Sequence, residues 1–188
     1  MTKLYTIGCD EVGYGALSGP LVVFGVRAPH NWSIHGLNDS KKLSDNQRRI
    51  MDEKLRACGD IVFTGTERPN WIIDQLGISS ALHSSYKEIA QALYTNDSLI
   101  IIDGNLNFDK TLVSMDYETI VKADGKIPTV MAASILAKVY RDNLMIKLSE
   151  QFPTYLFAKN KGYGSPEHIA AIKKYGLTPI HRKSYKLK

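Results

Sequence analysis

Residues 8–23 of the chain read GCDEVGYGALSGPLVV, and this stretch decides the fold. It begins at the end of an apolar run, residues 4–9 (LYTIGC), and finishes in a second run, residues 21–26 (LVVFGV). Between the runs lie two acids, Asp10 and Glu11, and three glycines that favour a tight loop. The stretch therefore predicts two β-strands joined by a glycine-rich loop, with two carboxylates where the first strand ends.

The rest of the chain alternates strand-like and helix-like patterns. A capping box formed by Ser44 and Gln47 indicates where the first helix begins. Further strands are predicted over residues 61–65, 98–103 and 117–121, and helices over residues 46–57, 79–94, 131–150 and from Pro166 to Gly176. This order predicts an α/β fold whose sheet is flanked by helices.

The composition is that of an ordinary globular protein, with 188 residues of which 44% are hydrophobic and 23% charged. These values favour a single domain over residues 1–188 and argue against disorder. Two cysteines, Cys9 and Cys58, are too few for a disulfide scaffold or a four-cysteine zinc site. No apolar run approaches the ~20 residues of a membrane span, and acidic residues follow the N-terminus too soon for a signal peptide. We therefore expect a cytoplasmic monomer.

Positive charge is concentrated at the C-terminal end. Residues 159–188 contain eight Lys or Arg and one acid, whereas the other 158 residues contain 16 bases and 18 acids. Such asymmetry is typical of a protein that binds a polyanion, and nucleic acid is the first candidate. A solvated basic tail would give the same count, so charge alone leaves both interpretations open.

Three acids follow predicted strands. Asp10 and Glu11 end the first, and Asp103 ends the fourth, residues 98–103. If these strands are neighbours, the carboxylates converge, and two such charges ~4 Å apart repel by roughly 4 kcal/mol at an effective dielectric constant near 20. A cluster of this kind needs a cation, and oxygen ligands suit Mg²⁺ or Mn²⁺. Each acid alone also fits a turn residue or a helix cap, and Asp124, followed by glycine, fits a turn.

The sequence offers no alternative catalytic site built from a nucleophile and a general base. The sequence contains no P-loop and no G-x-S-x-G motif, and none of its five histidines pairs with a cysteine at metal-ligand spacing. His181 is the most suggestive histidine because it lies in the basic end, but the sequence favours a structural role for it over a functional one.

Five motifs, in order along the chain, resemble those of the ribonuclease HII family. They are residues 8–23 quoted above, LNDSKKLS (37–44), IIIDGN (100–105), VKADGKIPTVMAASILAKVYRD (121–142) and KNKGYGSPEHIAAIKKYGLTPIHRKSY (159–185). The resemblance implies a ribonuclease H-like fold, with a mixed five-stranded sheet flanked by helices in a catalytic core over about residues 1–150. It also implies a helical, basic, substrate-binding extension over about residues 151–188.

The activity implied is endonucleolytic hydrolysis of RNA paired to DNA. It includes incision of duplex DNA 5′ of embedded ribonucleotides by two divalent ions, Mn²⁺ or Mg²⁺, and leaves 3′-hydroxyl and 5′-phosphate ends. By the same resemblance, the metal-binding catalytic residues are Asp10, Glu11, Asp103 and Asp124. An aspartate at position 124 and a short N-terminal segment favour the type-two enzymes over the type-three enzymes.

The resemblance also carries over substrate contacts. The Gly13–Gly15 loop would contact the ribose 2′-hydroxyl, and Tyr163 would stack on sugar at the RNA–DNA junction. One residue departs from the family, whose Gly-Arg-Gly is Gly13-Tyr14-Gly15 here, so that no guanidinium is available to neutralise a phosphate. The expected substrate-binding residues are Gly13, Tyr14, Gly15, Ser40, Lys41, Lys42, Lys161, Tyr163, Arg182 and Lys183, with further phosphate contacts from Lys173 and Lys174.

Three other functions fit parts of the sequence. A DEDD-type 3′–5′ exonuclease also uses clustered acids and two metals, but it would digest from ends. A non-catalytic nucleic-acid-binding module would explain the basic end but not the four acids. A metal-dependent phosphatase of small molecules would explain the acids but not the basic end.

Overall fold

The structure is a computed structural model that describes residues 3–105, 107–108, 110–112 and 114–186. Its centre is one mixed five-stranded sheet of order β3-β2-β1-β4-β5. Strand β2 runs antiparallel to both of its neighbours, β3 and β1, whereas β1, β4 and β5 are mutually parallel. The strands are β1 (Tyr5–Val12), β2 (Leu21–Pro29), β3 (Val62–Arg68), β4 (Ser98–Asp103) and β5 (Tyr117–Ile120). This arrangement confirms the predicted mixed sheet.

Helices cover both faces of the sheet and form the C-terminal part of the described chain. Ser44 caps the first helix through the predicted capping box, and its side chain accepts a hydrogen bond from the Gln47 N–H. The helices are α1 (Asp45–Arg56), α2 (Asn70–Leu76), α3 (Ile78–Leu93), α4 (Pro128–Gln151), α5 (Phe157–Asn160) and α6 (Pro166–Tyr175).

The two faces of β1 pack against different helices because side chains alternate along a strand. Ile7 and Cys9 point to α3, where they join the core around Leu82 and Ile89. On the other face α4 lies so close to β1 that a side chain at Gly8 would overlap its backbone. The glycine therefore sets the distance between the central strand and the longest helix.

Several boundaries differ from those predicted. Helix α2 (Asn70–Leu76) was not predicted, because seven residues give too short a pattern for helical periodicity to show. Helix α4 begins at Pro128, three residues early, since proline suits the first turn of a helix. Asp10 and Glu11 lie within β1 rather than after it, because the strand continues to Val12.

The C-terminal segment returns to the sheet. After α6 the chain forms an isolated bridge between His181 and Ser18, next to the glycine-rich loop. His181 is fully buried, and its Nε2 lies 3.1 Å from Nε2 of His168, so the structure gives it a packing role. Among the described residues, no helix is long and apolar enough to span a membrane.

Candidate active site

Asp10 and Asp103 lie side by side at the ends of two parallel strands. Strand β1 pairs with β4 in parallel register, Cys9 opposite Ile102, so the next residue on each strand is an aspartate. Both carboxylates line a cleft of about 420 Å³, together with Glu11 and the Gly13–Gly15 loop. The convergence expected from two strand ends is therefore present in the fold.

The two neighbouring acids of β1 are held from opposite faces of the sheet. Oδ1 of Asp10 accepts a 2.9 Å hydrogen bond from the Glu11 N–H, and on the α4 side the Ser134 hydroxyl stabilises the charged form of this carboxylate. The Ser134 hydroxyl oxygen also lies 2.9 Å from that of Ser40. On the α3 side, the buried hydroxyl of Tyr86 donates a 2.8 Å hydrogen bond to Oε2 of Glu11. Each carboxylate thus has a fixed orientation before any ligand binds.

Burial and mutual repulsion raise the pKa values of Asp10 and Glu11. Burial raises the pKa of Asp10 to about 8, and the nearby Glu11 and Asp103 carboxylates contribute to the rise. Burial also raises the pKa of Glu11. A buried group of acids with too little positive charge around it is the environment that a bound cation stabilises.

Asp124 joins the group through a turn rather than a strand. It lies buried in a 3₁₀ turn, Ala123–Gly125, whose first N–H donates to Oδ1 of Asp103 at 2.7 Å. Oδ2 of Asp124 accepts a 2.6 Å hydrogen bond from the ammonium of Lys41, a residue that also lines the cleft. Within the described ranges no three His, Cys, Asp or Glu side chains form a ready-made metal-binding group. Asp10, Glu11 and Asp103 therefore share the cleft, and Asp124 is linked to it through Lys41 and through the hydrogen bond from its turn to Asp103.

The glycine-rich loop and Tyr163 form the opposite wall of the cleft. The N–H of Gly13 donates a 3.0 Å hydrogen bond to the Tyr163 hydroxyl. Gly13 has a φ of +91°, and a Cβ there would lie 2.3 Å from Nε of Arg141, so only glycine fits. The guanidinium of Arg141 also lies 5.3 Å from the centre of the Tyr163 ring. The Gly13–Gly15 loop and Tyr163, which are both expected to contact substrate, are thus joined by a hydrogen bond.

The basic residues divide into exposed and buried groups. Arg182 is only 2% exposed, and its guanidinium donates to the carbonyls of Gly19 and Tyr14. We expected Arg182 to contact phosphate. Its guanidinium instead lies inside the protein and donates hydrogen bonds to backbone carbonyls, which is a structural role. Lys41, Lys42, Lys173, Lys174 and Lys183 are exposed, and Lys161 is half-buried.

Comparison with known proteins identifies the family. A family model described as Ribonuclease HII matches residues 7–188, nearly the whole chain. The chain belongs to the ribonuclease HII family. Two relatives named Ribonuclease HII are the proteins of Francisella philomiragia, 43% identical over 182 residues, and Aliarcobacter butzleri, 45% identical over 183 residues. The alignments cover 96% of this chain in both cases, and 95% and 90% of the relatives.

A solved structure of the same family confirms the fold. The structure of the PCNA:RNase HII complex from Archaeoglobus fulgidus matches with a TM-score of 0.82 and 27% identity, over 98% of this chain and 96% of that chain. The chain is accordingly a metal-dependent endoribonuclease, a hydrolase with ribonuclease H activity on RNA–DNA hybrids. The family, the fold and the enzyme class expected from the motifs are confirmed.

Three residues that line this ribonuclease HII cleft or contact its lining residues were not singled out from the sequence. Ser134 is the one hydroxyl in the apolar run AASILA, which is a signal that sequence reasoning could have used. Tyr86 falls within the helix predicted over residues 79–94, and nothing in the sequence links it to Glu11. Arg141 carried no signal at all, because its partners are backbone carbonyls distant in sequence.

Proposed function

We propose that this enzyme incises duplex DNA 5′ of embedded ribonucleotides as well as cleaving the RNA of hybrids, leaving 3′-hydroxyl and 5′-phosphate ends. The observation that carries the proposal is the position of Asp10 and Asp103. They abut at the ends of parallel strands, in the cleft whose wall is the Gly13–Gly15 loop. Chemistry and recognition of a single sugar would thus take place in one cleft.

We propose that Asp10, Glu11, Asp103 and Asp124 hold two divalent cations, Mg²⁺ or Mn²⁺. The donor set fits such ions, because it consists of carboxylate oxygens, and burial together with the neighbouring Glu11 and Asp103 carboxylates raises the pKa of Asp10. Binding would require the ammonium of Lys41 to leave Asp124, and the exposed position of Lys41 allows this movement. When bound, two such ions stabilise negative charge on the attacking and leaving oxygens of a phosphodiester.

The protein's own groups would orient these ligands. The N–H of Glu11 donates to Asp10, Tyr86 donates to Glu11, and the N–H of Ala123 donates to Asp103, so the carboxylates would lose little freedom on binding. No histidine lines the described part of this cleft, which is consistent with chemistry that uses the acids alone.

Substrate recognition would use the opposite wall. The backbone of the Gly13–Gly15 loop can approach a ribose closely, and Tyr163, 37% exposed, offers a ring face to a sugar. We propose phosphate contacts by the exposed lysines and by Lys161, and a supporting position for the buried Ser40. We also propose that the enzyme acts as a monomer in the cytoplasm, with residues 151–188 as a substrate-binding part of a single domain.

The decisive experiment compares a duplex that contains one ribonucleotide with an all-DNA duplex, each with Mg²⁺, with Mn²⁺ and with chelator. We expect metal-dependent incision of the first duplex only. A closed circular version of that substrate should also be cut, whereas an exonuclease would leave it intact. Asp103→Asn should lose at least 100-fold in kcat, and the exposed Asp60→Asn provides a matched control that keeps its activity. Equal rates for these two variants would refute the assignment of the acids.

A further inference from the structure

The glycine-rich loop contains a turn whose central peptide is held from outside the loop. A 3.3 Å hydrogen bond from the N–H of Ala16 to the carbonyl of Gly13 closes the turn, and its central peptide joins Tyr14 to Gly15. The carbonyl of that peptide accepts two further hydrogen bonds, at 2.7 Å from the Tyr185 hydroxyl and at 2.9 Å from Nη1 of Arg182. The carbonyl oxygen of Tyr14, in the wall of the cleft, is therefore held by two side chains of the C-terminal segment.

This peptide has an alternative orientation. The two common turn types differ by a rotation of the central peptide, and the second type requires a positive φ at the third residue, a place that glycine favours. The third residue is Gly15, which does not have a positive φ in the structure. The sequence permits both orientations, and the structure shows the one in which the Tyr14 carbonyl faces the C-terminal segment.

The orientation decides where a hydrogen-bond donor points. In a trans peptide the carbonyl and the following N–H point in opposite directions. Since the Tyr14 carbonyl faces Arg182 and Tyr185, the N–H of Gly15 faces away from them. This N–H has no hydrogen-bond partner among the described residues, and Gly15 lines the cleft. A rotated peptide would replace this donor by a carbonyl oxygen, which repels phosphate.

The segment that holds the Tyr14 carbonyl is itself bound to helix α2. We call Arg182–Tyr185 the C-terminal strap. The carboxylate of Asp74 on α2 accepts hydrogen bonds from the N–H groups of Lys183 and Ser184, at 3.0 and 2.9 Å, and from the Ser184 hydroxyl at 2.7 Å. The strap is thus tied to the body of the protein on one side and to the Tyr14 carbonyl on the other.

We propose that Tyr185 is a positioning residue for substrate recognition. Through the C-terminal strap it locks the Tyr14–Gly15 peptide so that the N–H of Gly15 is presented to the ribose and phosphate of the substrate. The proposal rests on the proposed function for the link to ribonucleotide recognition, whereas the lock itself is a property of the free protein. It gives the basic C-terminal end a second task, beside phosphate contact.

The test uses Tyr185→Phe in the full-length protein, with Tyr155→Phe as a matched control. Tyr155 also donates from its hydroxyl to a backbone carbonyl, that of Gly176, at 2.8 Å, but outside the cleft. Losing one neutral hydrogen bond shifts the equilibrium between the two orientations about fivefold. We expect the Gly15 amide resonance of the ¹⁵N-labelled free protein to shift and to show exchange broadening in Tyr185→Phe, and to be unchanged in the control.

Kinetics test the link to substrate. On the duplex with one ribonucleotide, Tyr185→Phe should raise KM at least twofold and leave kcat within twofold of wild type, since only the presented donor is affected. Asp74→Ala, which releases the anchor, should reproduce both effects. A Gly15 resonance that is unchanged in Tyr185→Phe, or altered equally in Tyr155→Phe, would overturn the lock. An altered resonance with unchanged KM would overturn the role in recognition. If the wild type does not incise this duplex, the proposed function fails, and the resonance of the free protein still decides the lock.

Discussion

Replacing Gly8 by alanine should damage the active site without touching any of its residues. A Cβ at Gly8 would lie 2.2 Å from the backbone carbon of Thr129 and from the nitrogen of Val130, about 1.2 Å short of ordinary contact. Backbone cannot rotate away as a side chain does, so the start of α4 must retreat from β1. Overpacking of this kind costs about 3 kcal/mol. The same shift moves Ser134 away from Asp10, and misplacement by about 1 Å lowers turnover roughly 100-fold.

The assay combines urea unfolding of the metal-free protein with single-turnover cleavage of a hybrid. Gly59→Ala is the matched control, because its Cβ would meet nothing within 4 Å and its φ is not positive. The control should be as stable and as active as wild type. If Gly8→Ala unfolds at the same urea concentration as Gly59→Ala, the tight approach of α4 to β1 is not what limits this position, and the reasoning is wrong.

Three further predictions follow from contacts around the acids and in the C-terminal part. Tyr86→Phe removes the donor that orients Glu11, so kcat should fall about tenfold with an unchanged circular dichroism spectrum. Lys41→Gln should bind Mn²⁺ more tightly in calorimetry, because the ammonium no longer competes for Asp124; weaker binding would contradict this. Burial and a neighbouring histidine lower the pKa of His181 to about 4. In the unfolded chain the pKa of this histidine is near 6.5, so between pH 6.5 and 4 the unfolded chain binds a proton that the folded protein does not. The free energy of unfolding should therefore fall as pH drops from about 6.5 to 4. The loss should reach about 3 kcal/mol in urea titrations, and His181→Gln should remove most of it.

Most of the sheet could be predicted from the sequence because its strands carry strong local patterns. The run at residues 98–103 is apolar up to its terminal acid, and it forms β4 with the predicted bounds. Strand β1 was predicted too short, because Asp10 and Glu11 interrupt its apolar run and the burial of Asp10 depends on tertiary contacts. Strand order was not predictable from local pattern. The resemblance to a family implied a mixed five-stranded sheet, whereas the parallel pairing of β1 with β4 is seen only in the structure.

The acids could be predicted as candidates but their contacts could not. Asp124 looks like a turn residue, and it is one. What brings it to the other acids is a hydrogen bond from the first residue of its turn to Asp103, which lies 20 residues earlier in the chain. Arg182 shows the opposite error. Its place in a basic stretch predicted a surface contact, but burial depends on how the C-terminal strap docks, which charge patterns do not report.

The charges around the cleft are arranged so that the acids stay available. Arg141 and Arg182 are fully or almost fully buried close to the cleft, yet their guanidinium groups donate to backbone carbonyls rather than to carboxylates. If either arginine were paired with Asp10 or Asp103, the pair would be fixed and a cation would have to break it. Among the described residues, the one cation that forms an ion pair with any of the four acids is Lys41, an exposed side chain paired with Asp124. Buried positive charge therefore holds the loop, and the one positive charge paired with an acid is exposed, as we expect if metal ions replace it at the proposed site.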